Sequence, residues 1–228
     1  MPAQHGRLFV VGTPIGNLED ITLRALRTLR EADLIAAEDT RHTGRLLARY
    51  EIKRPLVSYH EFNEARRTPE LLQSLQEGRR IALVSDAGMP TLSDPGTRLI
   101  QAALRAHINV EVVPGPSAIT AALAASGCAE GPFLFYGFLG HKSVQRRKEL
   151  TKLASLSSTL AFFESPYRVH KTLADMVEIF GDRRIVLARE LTKKFEEFLR
   201  GDIVSVLKSL ENRTVKGEIT LVVEGHTK

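Results

Sequence analysis

A single cysteine, Cys128, among 228 residues excludes an internal disulfide and a metal site built on thiolates. No apolar run approaches the roughly 20 residues needed to cross a bilayer. The opening segment, MPAQHGRLFVVG, has neither the apolar stretch nor the cleavage site of a secretory signal, so the expected location is the cytoplasm, away from any membrane. Repeats and low-complexity tracts are absent. So are the P-loop, the G-x-S-x-G elbow and the H-E-x-x-H pair. His60, His141 and His170 show no mutual metal spacing, and no metal is expected. Aromatic residues are not interleaved with basic ones in the manner of an RNA-recognition motif.

What remains is an ordinary globular composition, 43% hydrophobic and 26% charged, in a chain long enough for one large domain or two small ones. The net charge of +5 is compatible with a polyanionic partner without requiring one.

The chain is organised around IALVSDAGMPTLSDPGTRLI, residues 81–100: a short apolar strand, a loop rich in Gly, Pro, Ser and Asp, then a helical pattern. Ligands of α/β proteins sit at such carboxyl ends of parallel strands. Bare backbone in a loop of this kind can touch a ligand directly. Around it, RLFVVGT, DLIAA, the segment 55–59 and the segment 110–113 read as further strands. Helices alternate with them: one capped by Asp20 with Leu23, Leu26 and Leu29 on one face, one over 41–49, one over 71–77 after a polar link HEFNEARRTPE, and one over 95–106. An Ala-rich helix follows Pro116 and stops at Gly127. The expectation is an α/β domain over 1–127 with a mostly parallel sheet.

CAEGP, 128–132, reads as a link to a second α/β domain over 128–228. Its strands are FLFYGF, TLAFFE, RRIVLARE, the start of EEFLRGDIVSVL and GEITLVVEG; some follow each other by short links, so its sheet is expected to be mixed. A basic helix is expected over 142–153. Ser165-Pro166 reads as the start of a helix carrying Val169, Leu173, Val177 and Phe180.

Each candidate site residue has two readings. In the first loop, Pro14 stands where a dinucleotide fingerprint needs its middle glycine, which leaves either a ligand loop or a plain turn. Glu38 and Asp39 end the second strand, where a ribose is held in Rossmann proteins; capping of the next helix is the alternative. Asp94 before Pro95 fits a helix cap. Asp86 directly follows a buried strand and needs a partner, which a cationic or hydroxyl-bearing ligand would supply. Arg41, Arg45 and Arg49 share a helix face that is either solvated or turned to phosphates. Lys142, Arg146, Arg147, Lys148 and Lys152 form a second basic group, open to the same two readings.

Taken together, VVGTPIGNLEDIT, AEDTRHTGRLL, SYHEFNE, LVSDAGMPTLSDPG, VPGPSA, FFESPYR and ARELTKKFEE resemble the tetrapyrrole-methylase superfamily of S-adenosylmethionine-dependent enzymes. They are most similar to its branch that methylates the 2′-oxygen of a cytidine in the decoding region of bacterial 16S rRNA. The resemblance implies the two-domain tetrapyrrole-methylase-like fold, a homodimer, and S-adenosylmethionine folded between the domains. It implies cofactor contacts from Pro14, Asp86, Gly88, Met89, Ser117, Ala118 and Phe163, with Leu191 and Thr220 completing an adenine pocket. Asp39 is then the leading candidate for a catalytic base or ribose anchor, with Glu38 and Asp94 beside it. Arg41, Arg45 and Lys171 would meet the 16S rRNA or the small ribosomal subunit. Pro-Ile-Gly and Ser-Asp-Ala replace the Gly-rich and GDP-type loops of tetrapyrrole members, which disfavours a small-ring substrate. A tetrapyrrole-type methylase, a nicotinamide-dependent oxidoreductase and a non-catalytic rRNA-binding factor are the competing readings.

Overall fold

The structure, a computed structural model, describes residues 6–128 and 131–226. Residues 1–5 of the opening segment, and Ala129 and Glu130 of the expected link, lie outside the described residues. The chain divides into two compact units, Met1–Ser117 and Ala118–Lys228.

In the first unit, β1 (Arg7–Val11), α1 (Leu23–Glu31), β2 (Leu34–Ala37), α2 (Thr40–Arg49), β3 (Leu56–Ser58), α3 (Glu64–Gln76), β4 (Arg80–Val84), α4 (Thr97–Arg105) and β5 (Asn109–Val113) follow one another. The strands form one sheet in the order β3-β2-β4-β1-β5, and every pairing is parallel. Alternate residues of a strand face opposite sides. Ile81 and Leu83 enter one core with Leu75, Leu99 and Ala103, while Ala82 and Val84 enter another with Ala25, Leu29 and Leu46. β1 sends its crossover past β4 to β2, and β4 sends its own past β1 to β5. Connections therefore leave the neighbouring strands β1 and β4 in opposite directions, which marks the carboxyl ends of this pair as the place for a ligand.

Several local expectations shift. The α1 cap is Thr22, whose hydroxyl accepts the Ala25 N–H at 3.0 Å; Asp20 belongs to a preceding 3₁₀ turn. Leu23 is consequently 85% exposed, and Ala25, Leu26, Thr28 and Leu29 form the buried face. The polar link before residue 71 is already helical from Glu64, with Pro69 inside α3. Proline gives no N–H to the preceding turn, and nearby the Thr68 hydroxyl donates to the Glu64 carbonyl at 2.7 Å. α4 is capped by Gly96 at φ 137°, so Asp94 does not cap it.

The second unit contains α5 (Ala118–Ser126), β6 (Phe133–Phe138), α6 (Ser143–Leu153), β7 (Thr159–Glu164), α7 (Val169–Phe180), β8 (Arg184–Arg189), β9 (Glu197–Asp202), α8 (Ile203–Ser209) and β10 (Ile219–Val223). Its sheet runs β6-β7-β10-β8-β9; β6 and β7 are parallel and the remaining pairs antiparallel. Phe162, Leu173, Met176, Leu187 and Leu221 sit in its core. α5 lies against β10 and β7, so this helix joins the second unit and the division falls at 117/118, ahead of the expected 127/128. Gly127 and Gly181 follow α5 and α7 at φ 69° and 70°, backbone that glycine adopts freely. The basic group of α6 is not one solvated face. Arg146 is 2% exposed, and its Nε donates to Asp175 at 2.6 Å. Arg147 pairs with Glu178. Among the described residues, no helix is long and apolar enough to cross a membrane.

Candidate active site

Glycines let the strand tips of the first unit close on one another. A Cβ on Gly12 would lie 2.7 Å from the Gly115 backbone and 2.7 Å from the Met89 Sδ. A Cβ on Gly115 would in turn meet the Gly12 backbone at 2.9 Å. Thr13 and Gly88 bond reciprocally through their backbones, at 2.9 and 3.1 Å, with Gly88 at φ 78°. The loops after β1, β4 and β5 thus meet through backbone. Pro14 is buried beside them and lines a small crevice with Thr13, His42, Ser85 and Asp86.

The loop after β4 holds unusual backbone. Thr91 and Ser93 adopt φ of 75° and 72°, a region costly for residues other than glycine. It then places Asp94 with Glu38, Glu61 and Glu64 around a cavity of about 350 Å³.

Three carboxylates couple there. Asp86 donates its backbone N–H to Glu38 at 3.3 Å, and its side chain accepts the Asp39 N–H at 3.0 Å. The partner expected for Asp86 is therefore found within the chain. Asp94 is pushed up to about 6, first by burial, then by the Glu38 and Asp86 charges; the Ser85 hydroxyl opposes the shift. Glu38 is raised by burial, with the Asp86 charge adding, while the Asp86 N–H and His60 oppose. Asp39 differs. Its carboxylate accepts the Arg41 N–H at 2.8 Å as the cap of α2 and pairs with the Arg41 guanidinium at 2.9 Å. Those bonds to Arg41 hold it well below the usual carboxylate range.

Ser85 is not singled out in the sequence, and His60 is weighed there only as a metal ligand. Ser85 sits inside a strand-end run, and only the fold turns its hydroxyl to Asp94. His60, in SYHEFNE, packs edge-on to Phe62 with ring centroids 6.1 Å apart and bonds Asn63 at 3.1 Å. Arg45 is exposed on α2.

Ser117 closes the first unit and Ala118 opens α5 in the second. Within the second unit, Phe163 and Thr220 are register partners on β7 and β10. Phe163 also meets Phe135 edge-on, with centroids at 4.9 Å. Leu191 is buried between Glu190 and Thr192, both in left-handed backbone at φ 51° and 65°. Lys193 ties that turn to Glu190 and Glu218 at 2.9 and 3.0 Å. Lys171 is exposed on the first turn of α7.

Known proteins match this chain along most of its length. The family model "Tetrapyrrole (Corrin/Porphyrin) Methylases" matches residues 7–206. A "Ribosomal RNA small subunit methyltransferase I" of Thermotoga maritima is 51% identical over 220 residues, 96% of this chain and 99% of that protein. A protein of the same name from Halalkalibacterium halodurans is 50% identical over 97% of this chain and 76% of its own length. Among solved structures, a uroporphyrin-III C-methyltransferase of Thermus thermophilus, complexed with S-adenosylhomocysteine, aligns over 95% of this chain and 97% of its own. Its TM-score is 0.69 at 21% identity, a likeness of fold. The chain belongs to the tetrapyrrole methylase family, and within it to the group of the ribosomal RNA small subunit methyltransferase I proteins.

Proposed function

We propose that this chain transfers a methyl group from S-adenosylmethionine to the ribosomal RNA of the small subunit, on the 2′-oxygen of a cytidine in the decoding region. The relatives named for rRNA methylation support the substrate class. The observation that carries the chemistry is Asp94, a half-buried carboxylate pushed up to about 6 at the rim of a cavity.

The first unit's residues suit such a cofactor. Gly12, Gly88 and Gly115 leave backbone bare at the strand tips, and Glu38, Asp86 and Asp94 supply negative charge for a cation. Pro14, Asp86, Gly88, Met89 and Ser117 are its proposed contacts, with Ala118, Phe163, Leu191 and Thr220 the second unit's contribution. The bound donor supplies an electrophilic methyl on a sulfonium, for which placement in line with the attacking oxygen is a large part of catalysis.

A ribose hydroxyl is a weak nucleophile until its proton is taken. Asp94 is the base: the O–H bond breaks and the proton passes to its carboxylate. A base titrating near 6 is ionised at neutral pH and holds a proton better than an ordinary aspartate. Asp39, held by Arg41, is a poorer base and acts in positioning α2. An acidic cavity admits a neutral hydroxyl and repels a phosphate. In this reading Arg41, Arg45 and Lys171 meet the flanking phosphates, and the enzyme works as a homodimer in the cytoplasm.

The test is incubation of the protein with labelled S-adenosylmethionine and small ribosomal subunits from cells lacking its gene, followed by mass-spectrometric mapping. The expected product is one 2′-O-methylcytidine in 16S rRNA. Label on a base, or none in rRNA, overturns the reading.

A further inference from the structure

The carboxyl tips of the first unit's sheet and the groove beside α1 carry opposite chemistry. Glu38, Asp86 and Asp94 gather at the tips, where phosphates are disfavoured. Four arginines line a groove of about 370 Å³ that starts at the amino end of the sheet and runs along β1 and β5 up to the Val112 carbonyl, which Arg24 bonds. Arg7 and Arg80 open β1 and β4 and are register partners across the sheet. Arg24 and Arg27 stand one turn apart on α1.

The groove's own acids do not neutralise it. Glu111 pairs with Arg7 at 3.0 Å and Glu31 with Arg80 at 3.4 Å, while Arg24 donates to the Val112 carbonyl at 3.3 Å. The Arg27 side chain has no hydrogen bond or ion pair among the described residues. Both ion pairs are solvent-exposed and individually weak, so a phosphate can displace either carboxylate. Guanidinium groups present paired donors that match phosphate oxygens.

We propose that this groove is a second RNA contact, gripping backbone phosphates of the substrate at a distance from the reacting nucleotide. It deepens the proposed function by assigning where the acidic catalytic end obtains its hold on a polyanion. Phosphate contacts of this kind position a nucleic acid and carry little sequence information. The groove therefore sets affinity and salt dependence and leaves the identity of the methylated atom to the catalytic end.

The test is binding of a small-subunit rRNA fragment across a salt series, in wild type, Arg24→Gln/Arg27→Gln and Arg27→Gln. Removing two phosphate contacts flattens the log–log salt slope by about 1.4–1.8, and removing one by about half of that. KM for RNA rises while kcat at saturating RNA, cofactor affinity and melting temperature stay put. Arg27→Gln breaks no side-chain hydrogen bond or ion pair among the described residues, so its readout does not depend on a refolded groove. Arg30→Gln, whose guanidinium donates to the Tyr50 carbonyl, is the charge-matched control for Arg27→Gln and leaves the slope near the wild-type value. An unchanged slope in the double variant, or a change in Arg30→Gln equal to that in Arg27→Gln, overturns the proposal. So does inorganic phosphate that saturates the groove without displacing RNA, or a variant that changes only the oligomeric state. Because binding is read without methyl transfer, a wild type that binds the fragment but methylates nothing overturns the proposed reaction and not the groove.

Discussion

Glu38 accepts the backbone N–H of Asp86 at 3.3 Å, across the tips of the adjacent strands β2 and β4. This bond holds two carboxylates close together at a half-buried position, and their repulsion adds to burial, the larger cause, in raising the proton affinity of Asp94 beside them. The same bond that fixes the loop also tunes the proposed base.

Asp94→Asn keeps the shape and removes the base. The expected loss in kcat is about 10²-fold or more, with the cofactor dissociation constant unchanged by calorimetry. Asp39→Asn keeps a capping oxygen and loses far less. Equal losses in the two variants would return the base assignment to Asp39.

The elevated Asp94 pKa has opposite consequences for rate and stability. Methyl transfer should fall as pH drops through about 6, because the base becomes protonated. Stability from this group runs the other way. Between its ordinary value near 3.8 and about 6, the folded state binds the proton that the unfolded state has lost, so folding gains as pH falls through that window. Asp94→Asn should therefore melt higher than wild type at pH 8, with the gap closing towards pH 4. A gap that is constant with pH would show that Asp94 ionises normally.

Asp86→Ala deletes the acceptor of the Asp39 N–H together with a proposed cofactor contact. The dissociation constant for S-adenosylmethionine should rise about tenfold or more, roughly 1.4 kcal/mol, with the fold retained by circular dichroism. An unchanged constant removes Asp86 from the cofactor site.

Gly12→Ala drives a methyl to 2.7 Å from the Gly115 backbone and the Met89 sulfur. Backbone cannot yield as a side-chain tip does, so the loops must part. The expected cost is about 1–3 kcal/mol in denaturant unfolding, with weaker cofactor binding. Gly44→Ala, whose Cβ would meet nothing closer than 4.0 Å, is the control.

Asp175→Ala leaves Arg146 charged and buried without its partner. A loss of about 3–5 kcal/mol in stability is expected, visible as a lower denaturation midpoint. The paired variant Arg146→Met with Asp175→Ala should recover part of it.

Element type was largely legible because periodicity and strand-end punctuation are local: RLFVV, RIALV and ITLVV all became strands. Strand order was not, since nothing within β1 or β4 announces that they are neighbours. The same limit governed the site. Asp94-Pro95 has the local form of a cap, yet Gly96 takes the position and leaves Asp94 for the cavity. Asp39 kept its local role because its partners, the Arg41 N–H and guanidinium, lie two residues away. Arg146 looked solvated until Asp175, on another helix, was brought to it. Ser85 acquires meaning only from a loop that returns to it.

β10 is the last strand among the described residues and occupies the middle of its sheet, between β7 and β8. During synthesis, β7 and β8 must therefore wait for residues 219–223 with their inner edges unpaired, edges that invite foreign strands. The first unit, by contrast, owns all its strands once Val113 has emerged. Folding of a nascent chain should proceed in two stages, with the late one exposed to aggregation and dependent on the final strand.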